Sequence, residues 1–446
     1  MVTVSADFNK IIGKIKPVHG FNNSARETNY GPLLESFSSL NPPFARLHDT
    51  GYHGNAHYVD IPCIFPDFSA DPDNEKSYDF TLTDYYIKPL VENGIRVMYR
   101  LGVTIEHEPK KHNIFAPSDP QKWASVCEHI VRHYNEGWAD GFHFGIEYWE
   151  VWNEPDGLNP ECEPYGCPNW IGTAEQYYEL YTCTAEKIKE LHPEVKVGGY
   201  SSCYILGKFE NGCWKAGDTS YFTNFLEYVK SKNAPLDFFT YHGYLGKQYL
   251  EKIKIESCFV RDKLDRYGFT KTECIDAEWN VNICDTKTCN RRIQYYMNYR
   301  SEKGASHVAA SLYEMQRCPI DYAMYYDTQL WAEYGGLYHV PSLEPTKTYY
   351  AFKQFSELYE QKNECESHGG GLIYTCAAAS ERKLLCVANI SENAEKINLE
   401  ISGTEGGNTV IRTLSKKYNY EETYRGNVPK LITLEGYSFI TIMSTE

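Results

Sequence analysis

From about residue 17 to 330 the chain alternates short apolar or β-branched runs with longer amphipathic stretches, and eight such runs can be counted, at 18–22, 44–48, 96–101, 148–152, 196–200, 238–242, 273–278 and 322–327. Strands that alternate with helices run parallel, because each crossover returns the chain to the same end of the sheet. Eight parallel strands close into a barrel, so the pattern predicts an α/β fold of the (β/α)8 TIM-barrel type rather than an open sheet. The intervening segments carry the matching helical period: in 174–191, Tyr177, Leu180, Tyr181, Thr184 and Ile188 fall on one face.

Beyond a helical stretch at 348–359 the pattern changes to short alternating strands, GLIYTCAA, KLLCVANI, KINLEI, TVIRTL and SFITIM, separated by turns rich in Gly, Asn and Glu. This spacing predicts an accessory C-terminal β-sandwich domain. The N-terminal VTVSADF alternates in the same way. The expected organisation is therefore residues 1–16 as a strand joining the β-sandwich, 17–347 as the barrel and 348–446 as the sandwich, and 446 residues suffice for both cores.

Charge narrows the partners. A formal net charge of -16, from 60 Asp plus Glu against 44 Lys plus Arg, repels a polyanion, so no nucleic-acid partner is expected. No run approaches the ~18 apolar residues that span a bilayer, and the N-terminus lacks the charged-then-apolar pattern of an export signal. Fifteen Cys spread along the chain, an odd number without a dense framework, suit reduced thiols and a cytoplasmic protein. Cys162 with Cys167 and Cys284 with Cys289 have C-x4-C spacing, which fits a local disulfide better than the C-x2-C of a zinc site. The loop HDTGYHGNAH brings His48, His53 and His57 close in sequence but in neither H-x-H nor H-E-x-x-H arrangement, and Gly369 to Gly371 has no Lys or helix start after it. No metal and no cofactor are expected.

In such a barrel the chemistry sits at the C-terminal ends of the strands, so the polar residues that end each apolar run are the informative ones. The fourth run reads YWEVWNEPD and delivers Asn153 and Glu154 before stopping at Pro155; the seventh reads ECIDAEWN and delivers Glu278. The two glutamates are 278 - 154 = 124 residues apart, three βα units of about 41 residues each, a reasonable size for this fold. Both should project into one mouth. Two carboxylates flanking a sugar cleave its glycosidic bond between them: one protonates the leaving oxygen, the other attacks the anomeric carbon, and a separation of ~5–5.5 Å gives retention. Mutual repulsion and partial burial are expected to keep the acid protonated while the nucleophile stays ionised.

These residues resemble glycoside hydrolase family 39, a family of (β/α)8 retaining glycosidases with β-xylosidases and α-L-iduronidases among its members. WNEP at 152–155 looks like its acid/base motif and AEWN at 277–280 its nucleophile motif. The resemblance implies Glu154 as general acid/base, Glu278 as nucleophile, and Asn153 as a hydrogen-bond partner of the sugar 2-hydroxyl. By the same correspondence RLHD at 46–49 places His48 at the substrate, with Asp49 standing where relatives often have Gly, and YHGY at 241–244 places His242 and Tyr244 beside the nucleophile and the sugar. His53 in the second loop reaches a sugar hydroxyl or faces water. The eighth run, YYDTQLWAEYGGL, departs from the xylosidase pattern, though Tyr326, Asp327 and Trp331 suit a pocket lining, with Trp331 a stacking platform.

The expected activity is therefore retaining hydrolysis of an equatorial glycosidic bond through a covalent glycosyl-enzyme, by an exo-acting β-xylosidase-like enzyme on plant-type oligosaccharides or glycosides. The same mechanism on a β-galactoside, an α-L-arabinoside or an α-L-iduronide, or a carbohydrate-binding barrel without catalysis, are the alternatives. An iduronate carboxylate would need a cation, and the candidates are Arg100, Lys110, Lys111, Lys287, Arg291 and Arg292. Exposed Tyr and Trp in the loops are compatible with a homo-oligomer.

Overall fold

The computed structural model describes residues 1–24, 31–52, 56–104, 112–156, 169–203, 205–206, 209–210, 213–214, 219–246, 250–282, 293, 297–330, 336–404 and 408–444. Eight strands close a barrel in the order of the chain: Gly20–Asn22, Ala45–Leu47, Val97–Leu101, Tyr148–Val151, Lys196–Ser202, Phe238–Gly246, Glu273–Asn282 and Tyr322–Tyr325, the last returning to the first. Each coincides with one of the eight apolar runs. The chain divides into two compact units, one of Phe44–Gly243 with Glu256–Glu278, the other of Met1–Pro43, Tyr244–Ile255 and Trp279–Glu446.

In the first unit the strands Val97–Leu101 and Tyr148–Val151 are buried at every residue. A parallel barrel strand is covered on both faces, one by the barrel interior and one by helices, so it reads as a continuous buried run rather than an alternation. The covering helices start where the chain can satisfy their free N–H groups. Asp119 accepts from the backbone of Gln121 and Lys122 ahead of Pro120–Asn135, and Thr173 forms a capping box with Gln176 ahead of Ala174–Leu191. Tyr177, Leu180, Tyr181, Thr184 and Ile188 of that second helix are all buried, which is the face its period predicts. Gly198 admits the neighbouring strand, since a Cβ there would lie 2.1 Å from the Phe238 carbonyl oxygen.

In the second unit the strand Val2–Lys14 runs antiparallel to Asn363–His368 and parallel to Glu395–Ser402. It belongs to a nine-stranded, mostly antiparallel sheet ordered Asn419–Gly426, Thr409–Leu414, Ser438–Ser444, Lys383–Asn389, Ile373–Ala379, Asn363–His368, Val2–Lys14, Glu395–Ser402, Leu431–Leu434. Val4, Ala6 and Phe8 alternate into its core with Leu385, Ile397 and Ile440. Three of these strands are additional to the expected set. Asn419–Gly426 and Leu431–Leu434 are the sheet edges; the first is mostly exposed and mostly polar, and the second is only four residues long, with Ile432 and Leu434 against the core. The third, Asn363–His368, has the polar sequence NECESH and buries Glu364, which accepts from Gln316 Nε2 at 2.8 Å. Lys347–Glu360 packs on the sheet through Gln354, whose Nε2 donates to the Ile440 carbonyl at 3.0 Å and to Thr441 Oγ1 at 2.7 Å. No described helix is long and apolar enough to cross a membrane. Ten free cysteines are described; the pairs Cys162/Cys167 and Cys284/Cys289 lie outside the described residues.

Candidate active site

Three barrel strands of the first unit carry a charge where an apolar residue would serve packing better: Arg46, Arg100 and Glu150 are each 0% exposed. A buried charge persists only when paired and hydrogen-bonded, so each points to a partner. Arg46 reaches across the barrel. Its Nε donates to Glu150 Oε2 at 2.7 Å, Nη1 to Glu278 Oε1 at 2.9 Å, and Nη2 to Asn153 Oδ1 at 2.7 Å and Ser201 Oγ at 2.8 Å. One guanidinium thus ties the second, fourth, fifth and seventh strands together at the level of both glutamates.

Glu154 follows a break in the fourth strand, where Trp152 has φ 70° and Glu154 φ 48°. Each such left-handed residue costs about 1–2 kcal/mol and holds only because the surroundings over-determine it. Here Trp152 N donates to the Leu101 carbonyl at 2.8 Å and Glu154 N to the Ser201 carbonyl at 3.1 Å, which fixes the turn that presents the carboxyl group. His242 Nδ1 lies 2.6 Å from Glu154 Oε1, and its Nε2 lies 2.9 Å from Ser201 Oγ and 3.5 Å from Glu278 Oε1. Gly243 holds the end of that strand against the seventh: its N donates to Asp276 Oδ1 at 3.0 Å, and a Cβ there would sit 2.4 Å from Asp276 Oδ2. Glu154, His242 and Glu278 each offer an atom within 4.8 Å of the other two. That spacing would also suit a metal ion, but Glu154 and His242 are already bonded to each other and Arg46 supplies the positive charge beside Glu278, so the donor set is that of a proton-transfer site.

His48 lies on the far side of Glu278, its Nε2 3.6 Å from Oε1 and 3.3 Å from Asp49 Oδ1. Arg100 Nε donates to His48 Nδ1 at 3.2 Å, and Arg100 Nη2 to Asp60 Oδ1 at 2.6 Å. Arg100 is thus engaged through Nε and Nη2, while its buried Nη1 has no hydrogen-bond partner among the described residues; Lys110, Lys111, Lys287, Arg291 and Arg292 lie outside the described residues. Asp49 has φ 49°, the left-handed region that favours Gly and tolerates Asp, which accounts for the residue type at this position. Asn153 Oδ1 is taken by Arg46, while its buried Nδ2 has no hydrogen-bond partner among the described residues. In the second unit Tyr244 and Tyr326 meet edge to face with ring centroids 6.3 Å apart, and Asp327 Oδ2 accepts from Gln329 Nε2 at 3.1 Å. His53 and Trp331 lie outside the described residues.

Burial pushes the Glu278 carboxyl above its ordinary value; His242 and Arg46 pull it down, and Glu154 and Asp49 push it further up. The permanent charge of Arg46 therefore underlies the ionisation of Glu278. Burial lowers His242, and Arg46 adds to the effect against the opposing pull of Glu278 and Glu150. Asp156, next to Pro155, is partly buried and pushed up to about 6 by loss of water around it, although Ser202 Oγ and Cys203 N donate to it at 2.6 and 3.0 Å. In the unfolded chain it ionises near its ordinary value of 3.8, so its contribution to stability is full below that pH and lost as pH rises to about 6. Asp156→Asn should therefore raise unfolding free energy at pH 7 relative to wild type by about 2–3 kcal/mol at most, with little difference at pH 4. Urea unfolding of both proteins at the two pH values measures this, and equal differences at both would rule it out.

Arg46, Glu150 and Ser201 are the site residues that motif reading misses. Their signal was available for the first two, as charges inside apolar strands too short to expose them. Ser201 carried none.

A parallel barrel with two glutamates from its fourth and seventh strands meeting over a shared histidine and arginine defines a (β/α)8-barrel glycoside hydrolase. Residues 51–265, just under half of the chain, match the model for glycosyl hydrolases family 39. A β-xylosidase of Geobacillus stearothermophilus is 26% identical over 202 residues, 41% of this chain and 34% of that enzyme, so the match spans about a third of the relative's length. A β-xylosidase of Caldicellulosiruptor saccharolyticus is 21% identical over 376 residues, 77% of this chain and 71% of the relative. These matches support an assignment to glycoside hydrolase family 39. A solved glucosidase from Croceicoccus marinus shares the fold, with a TM-score of 0.78 at 20% identity, covering 100% of this chain and 99% of that one.

Proposed function

We propose that the chain hydrolyses β-xylosides and related neutral glycosides with retention of configuration, Glu154 serving as general acid/base and Glu278 as nucleophile. The observation that carries this reading is the approach of the two carboxyl groups, each with an oxygen within 4.8 Å of the other and of the same His242 ring. A water molecule cannot be seated between carboxylates this close in the way an inverting enzyme requires, whereas direct attack by one of them is favoured. Glu278 attacks the anomeric carbon as Glu154 gives its proton to the departing oxygen; Glu154 then takes a proton from water, which releases the sugar from Glu278. Glu278 is the more deeply buried of the two, its side chain 4% exposed against 16% for Glu154, as suits one group under the sugar and one beside the leaving group. The neutral pentoside is supported by the two β-xylosidase relatives.

A panel of aryl glycosides tests it: β-xyloside, β-glucoside, β-galactoside, α-L-arabinoside and α-L-iduronide, with the first anomer released from the best substrate read by NMR. Turnover of the β-xyloside with β-xylose released first supports the proposal. Preference for the β-glucoside would move the substrate to hexosides, as the name of the structural neighbour suggests, and an α-anomer first would overturn the double displacement. Silence across the panel would favour a carbohydrate-binding barrel.

The unpartnered Nδ2 of Asn153 suits a donor to the sugar 2-hydroxyl. Asn153→Ala should lower kcat/KM by about 10–100-fold on the full substrate, a loss of ~1.5–3 kcal/mol for a hydrogen bond that strengthens as charge develops. On the matching 2-deoxyglycoside the loss should nearly vanish, and an equal loss on both substrates would reject this role.

A further inference from the structure

Among the described residues Ser201 Oγ has three hydrogen-bonding neighbours, and their chemistry permits only one arrangement of protons around it. Arg46 Nη2 at 2.8 Å can only donate. Glu150 Oε1 lies 3.1 Å away on a carboxylate whose other oxygen already accepts from Arg46 Nε at 2.7 Å, so it can only accept. The third neighbour is His242 Nε2 at 2.9 Å. A hydroxyl has one hydrogen and two lone pairs. If the hydrogen points to Glu150, both lone pairs accept, one from Arg46 and one from an Nε2–H of His242. Turning the hydrogen to His242 instead would leave two lone-pair-bearing oxygens facing each other at 3.1 Å inside the protein. We infer that Ser201 is a positioning residue that fixes His242 in the Nε2–H tautomer and so turns a bare Nδ1 toward Glu154.

A second observation agrees. His242 Nε2 also lies 3.5 Å from Glu278 Oε1, where a hydrogen is favourable and a lone pair is not. His48 is set the same way on the opposite side, because Arg100 Nε donates to its Nδ1 and leaves the hydrogen on the Nε2 that faces Glu278 Oε1 at 3.6 Å.

The consequence falls on Glu154 and rests on its assignment as acid/base. A bare Nδ1 at 2.6 Å from Glu154 Oε1 requires a proton between the two atoms, and the carboxyl group supplies it. Among the described residues the charged and titratable groups that act on the ring include Glu154, Glu278, Arg46, Glu150 and Asp156. Burial and Arg46 oppose an imidazolium, which keeps the shared proton on the Glu154 side. In the first step the bond from the anomeric carbon to the leaving oxygen breaks, its electron pair goes to that oxygen, and the Glu154 proton follows. Glu154 is then a carboxylate facing a lone pair, a contact that raises its basicity just when it must take a proton from water. Ser201 thus prepares both halves of the cycle without touching the sugar.

Nitrogen NMR of isotope-labelled histidine tests the tautomer directly, with the His242 signals assigned by their loss in His242→Asn. The wild type should show protonated Nε2 and bare Nδ1; a protonated Nδ1 in the neutral ring overturns the inference, whether or not any glycoside is turned over, so its failure is separable from failure of the glycosidase reading. In Ser201→Ala the tautomer preference should weaken. Its kcat/KM should fall about tenfold more on a methyl β-xyloside, which needs the acid, than on a dinitrophenyl β-xyloside, which departs with little protonation. Equal losses on the two substrates with an unchanged tautomer would also overturn it.

Discussion

Glu278→Gln is expected to lose at least about 10⁴-fold in kcat/KM on an aryl β-xyloside, ~5 kcal/mol or more of transition-state stabilisation. The substitution is nearly isosteric, and the amide oxygen can still accept from Arg46 Nη1, which now sits 2.9 Å from Oε1, so the barrel should keep its fold. What disappears is the negative charge that forms the bond to the anomeric carbon. Steady-state kinetics on the pure variant measures the loss. A smaller residue, Glu278→Gly, gives the sharper diagnosis: with azide added, turnover should return and yield the α-glycosyl azide, because the anion attacks from the side the carboxylate has vacated. Residual activity of Glu278→Gln within about tenfold of wild type would remove Glu278 from the role of nucleophile.

Arg46→Met should cost about 3–5 kcal/mol of stability, more than the loss of any exposed ion pair in the molecule. Arg46 is 0% exposed and is shared by Glu150 and Glu278, and removing it leaves Glu150 as a buried carboxylate whose partner is gone. A further Glu150→Met should recover more than half of the loss, since an apolar pair of similar volume avoids the uncompensated charge. Denaturant unfolding of the wild type, both single variants and the double variant gives the coupling; additive losses would show that Arg46 stabilises the barrel by packing alone. The same change has a catalytic sign. Arg46 pulls the raised Glu278 carboxyl down, so without it the acidic limb of kcat/KM should move to higher pH.

The two unequal kinds of success in reading the chain have physical causes. The barrel was legible because parallel strands buried on both faces are predominantly apolar and helices repeat every 3.6 residues, and both are local patterns. The edge strands were not, because Asn419–Gly426 is exposed along most of its length and shows no apolar face, and Leu431–Leu434 is four residues with only Ile432 and Leu434 against the core. Asn153, Glu154, His242, Glu278 and His48 were found by their place at strand ends within recognisable motifs, and in the structure they converge.

What the amino-acid order determined by itself was therefore the eight barrel strands, the helical face of 174–191 and the motifs that carry Glu154 and Glu278, all of which are written in segments a few residues long. The tertiary structure alone decided which groups surround them. Arg46 and Glu150 stand 104 residues apart and Arg46 and Glu278 232 apart, and only closure of the barrel brings them within hydrogen-bond reach. Ser201 is a serine like many others until three strands surround it. The protonation of a site is a sum over neighbours in space, and the linear sequence records neighbours along the chain.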